Sequence, residues 1–117
     1  MGAGRYDFTI EQGATFSRVV TWKDAAGTPI NLTSYTAAMQ IRETKDASSA
    51  IATSAGISPT ITLTLGGAAG TITISISATV TAAFTFETAY YDLELTLSGV
   101  VTRLLEGIVT LDKEVTR

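Results

Sequence analysis

The sequence predicts an all-β protein, an immunoglobulin-like sandwich of about seven antiparallel strands with at most one short helical turn. Three observations carry that prediction. Between Thr60 and Ser77, apolar residues alternate strictly with hydroxyl residues on both sides of Gly66-Gly67-Ala68-Ala69-Gly70, a strong β-hairpin pattern. Turn signals recur roughly every 8 to 12 residues, the spacing of short sandwich strands. Threonine fills 21 of 117 positions, and its branched β-carbon suits a pleated surface while its hydroxyl meets water. One domain over residues 1–117 is the simplest organisation, with 45% apolar residues to build a core.

In chain order, residues 1–5 read as a flexible N-terminal arm. Tyr6, Phe8 and Ile10 alternate with Asp7 and Thr9 in a first strand, and Glu11-Gln12-Gly13 turns the chain. Thr15 to Lys23 forms a second strand, with Phe16, Val20 and Trp22 on one face and Val19 on the other. Asp24 to Pro29 is a turn in which Gly27 supplies unusual backbone angles and Pro29 fixes φ. Ile30 to Ser34 leads into a third strand, where Tyr35, Ala37, Met39 and Ile41 share a face opposite Ala38, Gln40 and Arg42. From Glu43 to Pro59 the pattern weakens into a variable loop with a short edge strand around Ala50 to Thr53.

The hairpin follows, with Ile61, Leu63, Leu65, Ile72, Ile74 and Ile76 on one face and only threonine and serine on the other. It reads as a central pair of the sandwich. Ala78 to Phe84 is too short for a helix standing alone and suits one helical turn bridging two sheets. Tyr90 to Leu97 alternates again, with Tyr91, Leu93, Leu95 and Leu97 inward and Tyr90, Asp92, Glu94 and Thr96 outward. Val100 to Leu111 returns with an ambiguous phase, because Leu104 and Leu105 are adjacent, and Gly107 is the candidate bulge. Asp112 to Arg117 is a polar tail. Tyr91 stands two residues before inward Leu93, where immunoglobulin-like domains carry their tyrosine corner.

Composition narrows the chemistry. Without cysteine there is no disulfide and no thiolate ligand, and without histidine the commonest general base and metal ligand are missing. A net charge of −3 argues against a phosphate-tracking nucleic-acid surface. No run approaches the roughly 20 apolar residues of a membrane span, and the N-terminus lacks a signal-peptide core. The expectation is a whole chain, soluble where it is made. Charged residues are 16% of the sequence, against about 25% in typical soluble domains, and interface cores are depleted in charge.

Each candidate site has a plainer reading. Asp92 and Glu94 project from one strand face about 7 Å apart, a separation glycosidase carboxylates can show, but no pocket is indicated beside them and a solvated face is favoured. The glycine-rich loop is followed by a strand with no lysine near, so it reads as a hairpin loop and not a phosphate cradle. Trp22, Tyr35 and Tyr91 fall inward as core, leaving Tyr90 exposed. Tyr90, with Phe84 and Phe86 near the bridging turn, forms the candidate partner contact, joined by Arg5 of the N-terminal arm. No catalytic, cofactor or metal residue is expected, and the protein is expected not to be an enzyme.

Several segments together resemble a family of small phage and prophage proteins. These are Tyr6 to Phe16, Trp22 to Tyr35, Ala38-Met39-Gln40-Ile41-Arg42, Tyr91-Asp92-Leu93-Glu94-Leu95 and Arg103-Leu104-Leu105-Glu106-Gly107. The opening strands are also similar to the immunoglobulin-like N-terminal domain of phage baseplate upper proteins. The resemblance implies a virion structural module, made in the bacterial host cytoplasm and built into the particle at the tail, neck or baseplate. Its implied partners are other virion proteins in a multi-copy or homo-oligomeric assembly, with neither nucleic acid nor membrane. A capsid decoration (cement) protein is the alternative. A carbohydrate-binding adhesion module is the third reading, with a glycan the least favoured partner.

Overall fold

The computed structural model describes residues 4–116, where nine strands, a short α-helix and one 3-10 turn form two packed sheets. The hairpin builds the smaller sheet. Its strands β6 (Thr62–Leu65) and β7 (Thr71–Ile76) pair Leu65 with Ile72 and Leu63 with Ile74, so the aliphatic residues share one face as their alternation requires. The loop is a 3-10 turn at Gly67–Ala69 ended by Gly70 at φ 69°. A Cβ on Gly70 would lie 2.8 Å from the Trp22 carbonyl oxygen and 2.9 Å from that of Ile30, which only glycine avoids. Strand β3 (Phe16–Thr21) pairs along the other side of β7, giving the order β3-β7-β6. The hairpin is therefore not a central pair. Only β7 is central, because β6 has no further strand beside it among the described residues.

The larger sheet contains β1 (Gly4–Arg5), β2 (Phe8–Glu11), β4 (Thr36–Arg42), β5 (Ala52–Thr53), β8 (Thr88–Leu97) and β9 (Val100–Asp112). Its order is β1-β9-β8-β4-β5, with β2 also on β9. Helix α1 (Ala78–Ala82) carries the chain from β7 in one sheet to β8 in the other. Ser77 caps it by accepting from the Val80 N–H at 3.3 Å. Buried Thr81 ties it down, its hydroxyl donating to the Ala14 carbonyl at 2.8 Å and accepting from the Gly13 N–H at 3.1 Å.

The protein is an all-β sandwich. Strands β9-β8-β4 facing β3-β7-β6 reproduce an immunoglobulin-type connectivity. Between the sheets lie Ile10, Leu32, Met39, Ile41, Ile61, Ile72, Ile74, Ile76, Leu93, Leu95 and Val109, all essentially without solvent contact. Two of the nine strands, β1 and β5, are only two residues long. The pairing is not wholly antiparallel, because β1 and β2 run parallel to β9. Gly4 and Arg5 thus belong to a strand, while residues 1–3 of the expected arm lie outside the described residues. Asp112 ends β9, so the polar tail begins at Lys113, with Arg117 also outside the described residues.

The adjacent leucines of β9 are accommodated by an irregularity elsewhere than Gly107. Leu93 pairs with Leu105 and Glu94 with Arg103, so Leu104 is the extra residue of a bulge. Gly107 serves a different purpose. It faces Tyr91, and a Cβ there would lie 2.3 Å from the Tyr6 carbonyl oxygen and 2.8 Å from Asp7 Oδ1. The N-terminal segment runs through that space. Its register holds from Gly4 opposite Leu105 to Phe8 opposite Val109, so β1 and β2 are one line interrupted at Tyr6 and Asp7. At the interruption Tyr6 N–H donates to the Glu106 carbonyl at 3.1 Å, and the Asp7 carboxylate accepts from the Ile108 N–H at 2.9 Å.

The Tyr91 hydroxyl completes the joint by donating to the Tyr6 carbonyl. This is not a tyrosine corner, since the acceptor lies between β1 and β2 and not in the segment just before β8. The phenol packs against Phe8 at 4.7 Å between ring centroids, and Phe8 meets Phe16 edge-on at 5.5 Å. Burial, and then the Asp7 carboxylate, hold the Tyr91 phenol well above its ordinary value.

Two outcomes follow for stability. Gly107→Ala forces the Tyr6 backbone off β9 and is expected to cost about 1–3 kcal/mol in urea unfolding. Tyr91→Phe leaves the ring but removes the buried donor, costing about 1–2 kcal/mol at neutral pH. Because folding raises this pKa, the phenol's contribution is complete below about pH 10, the unfolded value, and is lost as the pH climbs toward the folded one. Unfolding series from pH 8 to 11 should therefore show the wild type losing up to about 1.4 kcal/mol per pH unit more than Tyr91→Phe above pH 10.

Candidate interaction surfaces

The two sheets present opposite chemistry to solvent. On the larger sheet, strand alternation turns Gln40 and Arg42 of β4, Tyr90, Asp92 and Glu94 of β8, and Arg103 and Glu106 of β9 outward. They border a shallow groove of about 460 Å³. Several of its charges are paired in place. Arg103 lies 3.4 Å from Asp92 and 3.7 Å from Glu106, and Lys45 reaches Glu106 at 3.9 Å. Arg42 donates to Gln40 Oε1 and to the Ala47 carbonyl, each at 2.8 Å. The sequence pattern indicated no pocket beside Asp92 and Glu94, yet this groove lies there. Lys45 of the loop before β5, Thr53 of β5, and Ser54 and Ala55 after it complete its lining beside β8 and β9, a relation between distant segments. Asp92 itself is engaged by Arg103, an exposed pair of the kind worth about 0–1 kcal/mol.

Arg5 and Tyr90 both reach this outer face. Arg5 stands opposite Glu106 and lies 3.5 Å from the Asp7 carboxylate, so it is placed by a strand and an ion pair. Tyr90 is 39% exposed and sits between Arg42 and Ile108 in the register. Phe84 and Phe86 are elsewhere. They are 4% and 5% exposed, in the core with their ring centroids 5.4 Å apart, and are not available as a partner contact. Their placement follows from the segment leaving α1 in extended form, which sends alternate residues Phe84 and Phe86 the same way, inward, and Thr85 out. The spacing Phe-Thr-Phe carried that signal. Trp22 and Tyr35 pack edge-on at 5.6 Å against the core, as their strand phases indicate.

The smaller sheet carries no charge on its outer face. Its rows run Ser17–Ser75–Thr62, then Val19–Thr73–Thr64, then Thr21–Thr71. Val19, 61% exposed, is the one large apolar side chain of these rows. The alternation of the hairpin made the hydroxyl face legible. The alignment of β3 beside β7, which adds Ser17, Val19 and Thr21 to it, came only with the register. Among the described residues, no group of three or more acidic side chains is placed to hold a metal ion. No helix among them is long and apolar enough to cross a membrane.

Core and surface aromatic residues should separate cleanly in unfolding experiments. Phe84→Ala is expected to cost about 3–5 kcal/mol through the cavity it leaves. Tyr90→Ala, on the outer face of the larger sheet, should cost about 1 kcal/mol or less.

Compared with known proteins, the sequence matches no family model and no curated protein.

Proposed function

We propose that the protein is a non-enzymatic structural part of a bacteriophage virion, an assembly module at the tail, neck or baseplate. The observation that carries this reading is the uncharged outer face of the smaller sheet, three strands wide and made of hydroxyl side chains around Val19. Such a face can be covered by a neighbouring subunit without desolvating an ion, and the cores of protein interfaces are depleted in charge. The likeness of the Trp22–Tyr35 and Ala38–Arg42 segments to small phage proteins gives the neighbour its identity, other virion proteins. The larger sheet complements this arrangement. Its ion pairs are satisfied among themselves and suit a face that stays in water.

The mechanism in this reading is passive. The sandwich holds the hydroxyl face in place through β7, whose inward isoleucines at 72, 74 and 76 anchor it to the core. Loops and strand edges around that face then make the specific contacts. Mass spectrometry of purified particles should find the protein as a stoichiometric component, and its absence would overturn the proposal. Copy number in the same experiment distinguishes a dozen or fewer at the tail from hundreds on a capsid. Thr64→Glu, at the exposed end of the central row, should leave thermal unfolding unchanged while reducing incorporation into particles at least about tenfold, because a carboxylate there must be desolvated.

A further inference from the structure

The edge of the smaller sheet at β3 presents an unused row of backbone groups. Trp22 N–H donates to the Gly70 carbonyl at 2.8 Å, which sets the phase of the ladder. In an antiparallel pair the bonded residues alternate, so Phe16, Arg18 and Val20 bond to β7. Ser17, Val19 and Thr21 therefore direct their N–H and C=O groups away from β7, where no strand lies among the described residues. Their side chains belong to the uncharged outer face.

The other edges are poorer templates. Strand β5 has two residues, β6 offers Leu63 and Leu65 alone, and the β1–β2 edge is interrupted at Tyr6 and Asp7. Strand β3 pairs over six residues without a bulge, and it contains neither proline nor a charge on its outward face, two of the protections an edge can carry. Its one guard is Arg18, whose guanidinium lies 5.0 Å over the Phe16 ring and donates to the Ser17 carbonyl at 3.1 Å. That bond occupies one acceptor of the open row.

We propose that β3 pairs with β3 of a second copy of this chain, antiparallel about a two-fold axis at Val19. The row is self-complementary in this register. Val19 faces Val19, Ser17 faces Thr21, and each facing pair exchanges both N–H···O bonds. Arg18 falls opposite Val20. Moving the axis one residue toward the start of β3, a two-residue change of register, would set Arg18 against Arg18, so like-charge repulsion disfavours that neighbouring register. With the axis perpendicular to the sheet, the two hydroxyl faces join on one side into a continuous uncharged surface. Arg18 must leave the Ser17 carbonyl for the pair to close, which makes the association weak and concentration-dependent. The pairing is independent of where the protein works, because it uses only this chain.

The experiment is sedimentation equilibrium of the purified chain from micromolar to millimolar concentration, with amide hydrogen exchange at both ends of the range. The wild type and Val19→Thr should dimerise as concentration rises, and exchange at Ser17, Val19 and Thr21 should slow together. Val19→Pro removes an N–H that points away from β7 and fixes φ, and should stay monomeric while still unfolding cooperatively. Should Val19→Pro fail to fold, Val19→Lys leaves the backbone intact, sets like charges at the axis, and should weaken the dimer at least about tenfold. A wild type that stays monomeric throughout overturns the proposal. So does a dimer whose Ser17, Val19 and Thr21 amides exchange as freely as the monomer's, or one undiminished in the folded Val19 variants.

Discussion

The joint between the first strand and the last one organises this sandwich. The Tyr91 hydroxyl donates to the Tyr6 carbonyl, Asp7 accepts from Ile108, and Gly107 leaves room for both. Each part is needed by the others. Without the bare α-carbon of Gly107 the Tyr6 backbone could not approach β9, and without that approach the Tyr91 phenol would be buried with no acceptor. A buried hydroxyl lacking a partner costs more than the bond itself is worth. The aromatic packing of Phe8 against Tyr91 and Phe16 then carries the joint into the core and across to the smaller sheet.

Committing the first strand to β9 has a consequence in the smaller sheet. In seven-stranded immunoglobulin constant-type sandwiches the first strand lies beside the second in the other sheet. Here β1 and β2 are held on the larger sheet, so β3 is left as an edge with Ser17, Val19 and Thr21 unpaired on their outer side. The open edge and the uncharged face share these residues. The larger sheet gains a row of charged groups from the same arrangement, since Arg5 comes to stand opposite Glu106. One face thus carries ion pairs among Arg103, Asp92, Glu106 and Lys45, and the other carries hydroxyls.

Residues with local periodicity were readable in advance. The inward set of β8, the shared inward face of the hairpin, the bridging turn at α1 and the short strand near Ala52 all depend on neighbours a few positions away. Leu104 and Leu105 defeated the same reasoning. A bulge is invisible to alternation until the partner strand is known, and the glycine nearby drew it to the wrong place. Phe84 and Phe86 were misread for a related reason. Their position beside an exposed turn suggested solvent, while their spacing of two, on an extended segment, points both into the core. Arg5 was read as part of a free arm, because a two-residue strand has no periodicity of its own.

The amino-acid sequence by itself determined the class of structure and the hydroxyl character of one sheet face. Alternating threonine and isoleucine can bury one face only as strands, and the opposite face is then left to the hydroxyls. The tertiary structure decided which strands are edges, which aromatic rings are hidden, and which charges meet. Those outcomes rest on pairings between residues up to about a hundred positions apart, Asp7 with Ile108 among them. Local propensity is indifferent to such pairings. They are chosen by the joint demands of burying the apolar faces and giving each buried polar group a partner.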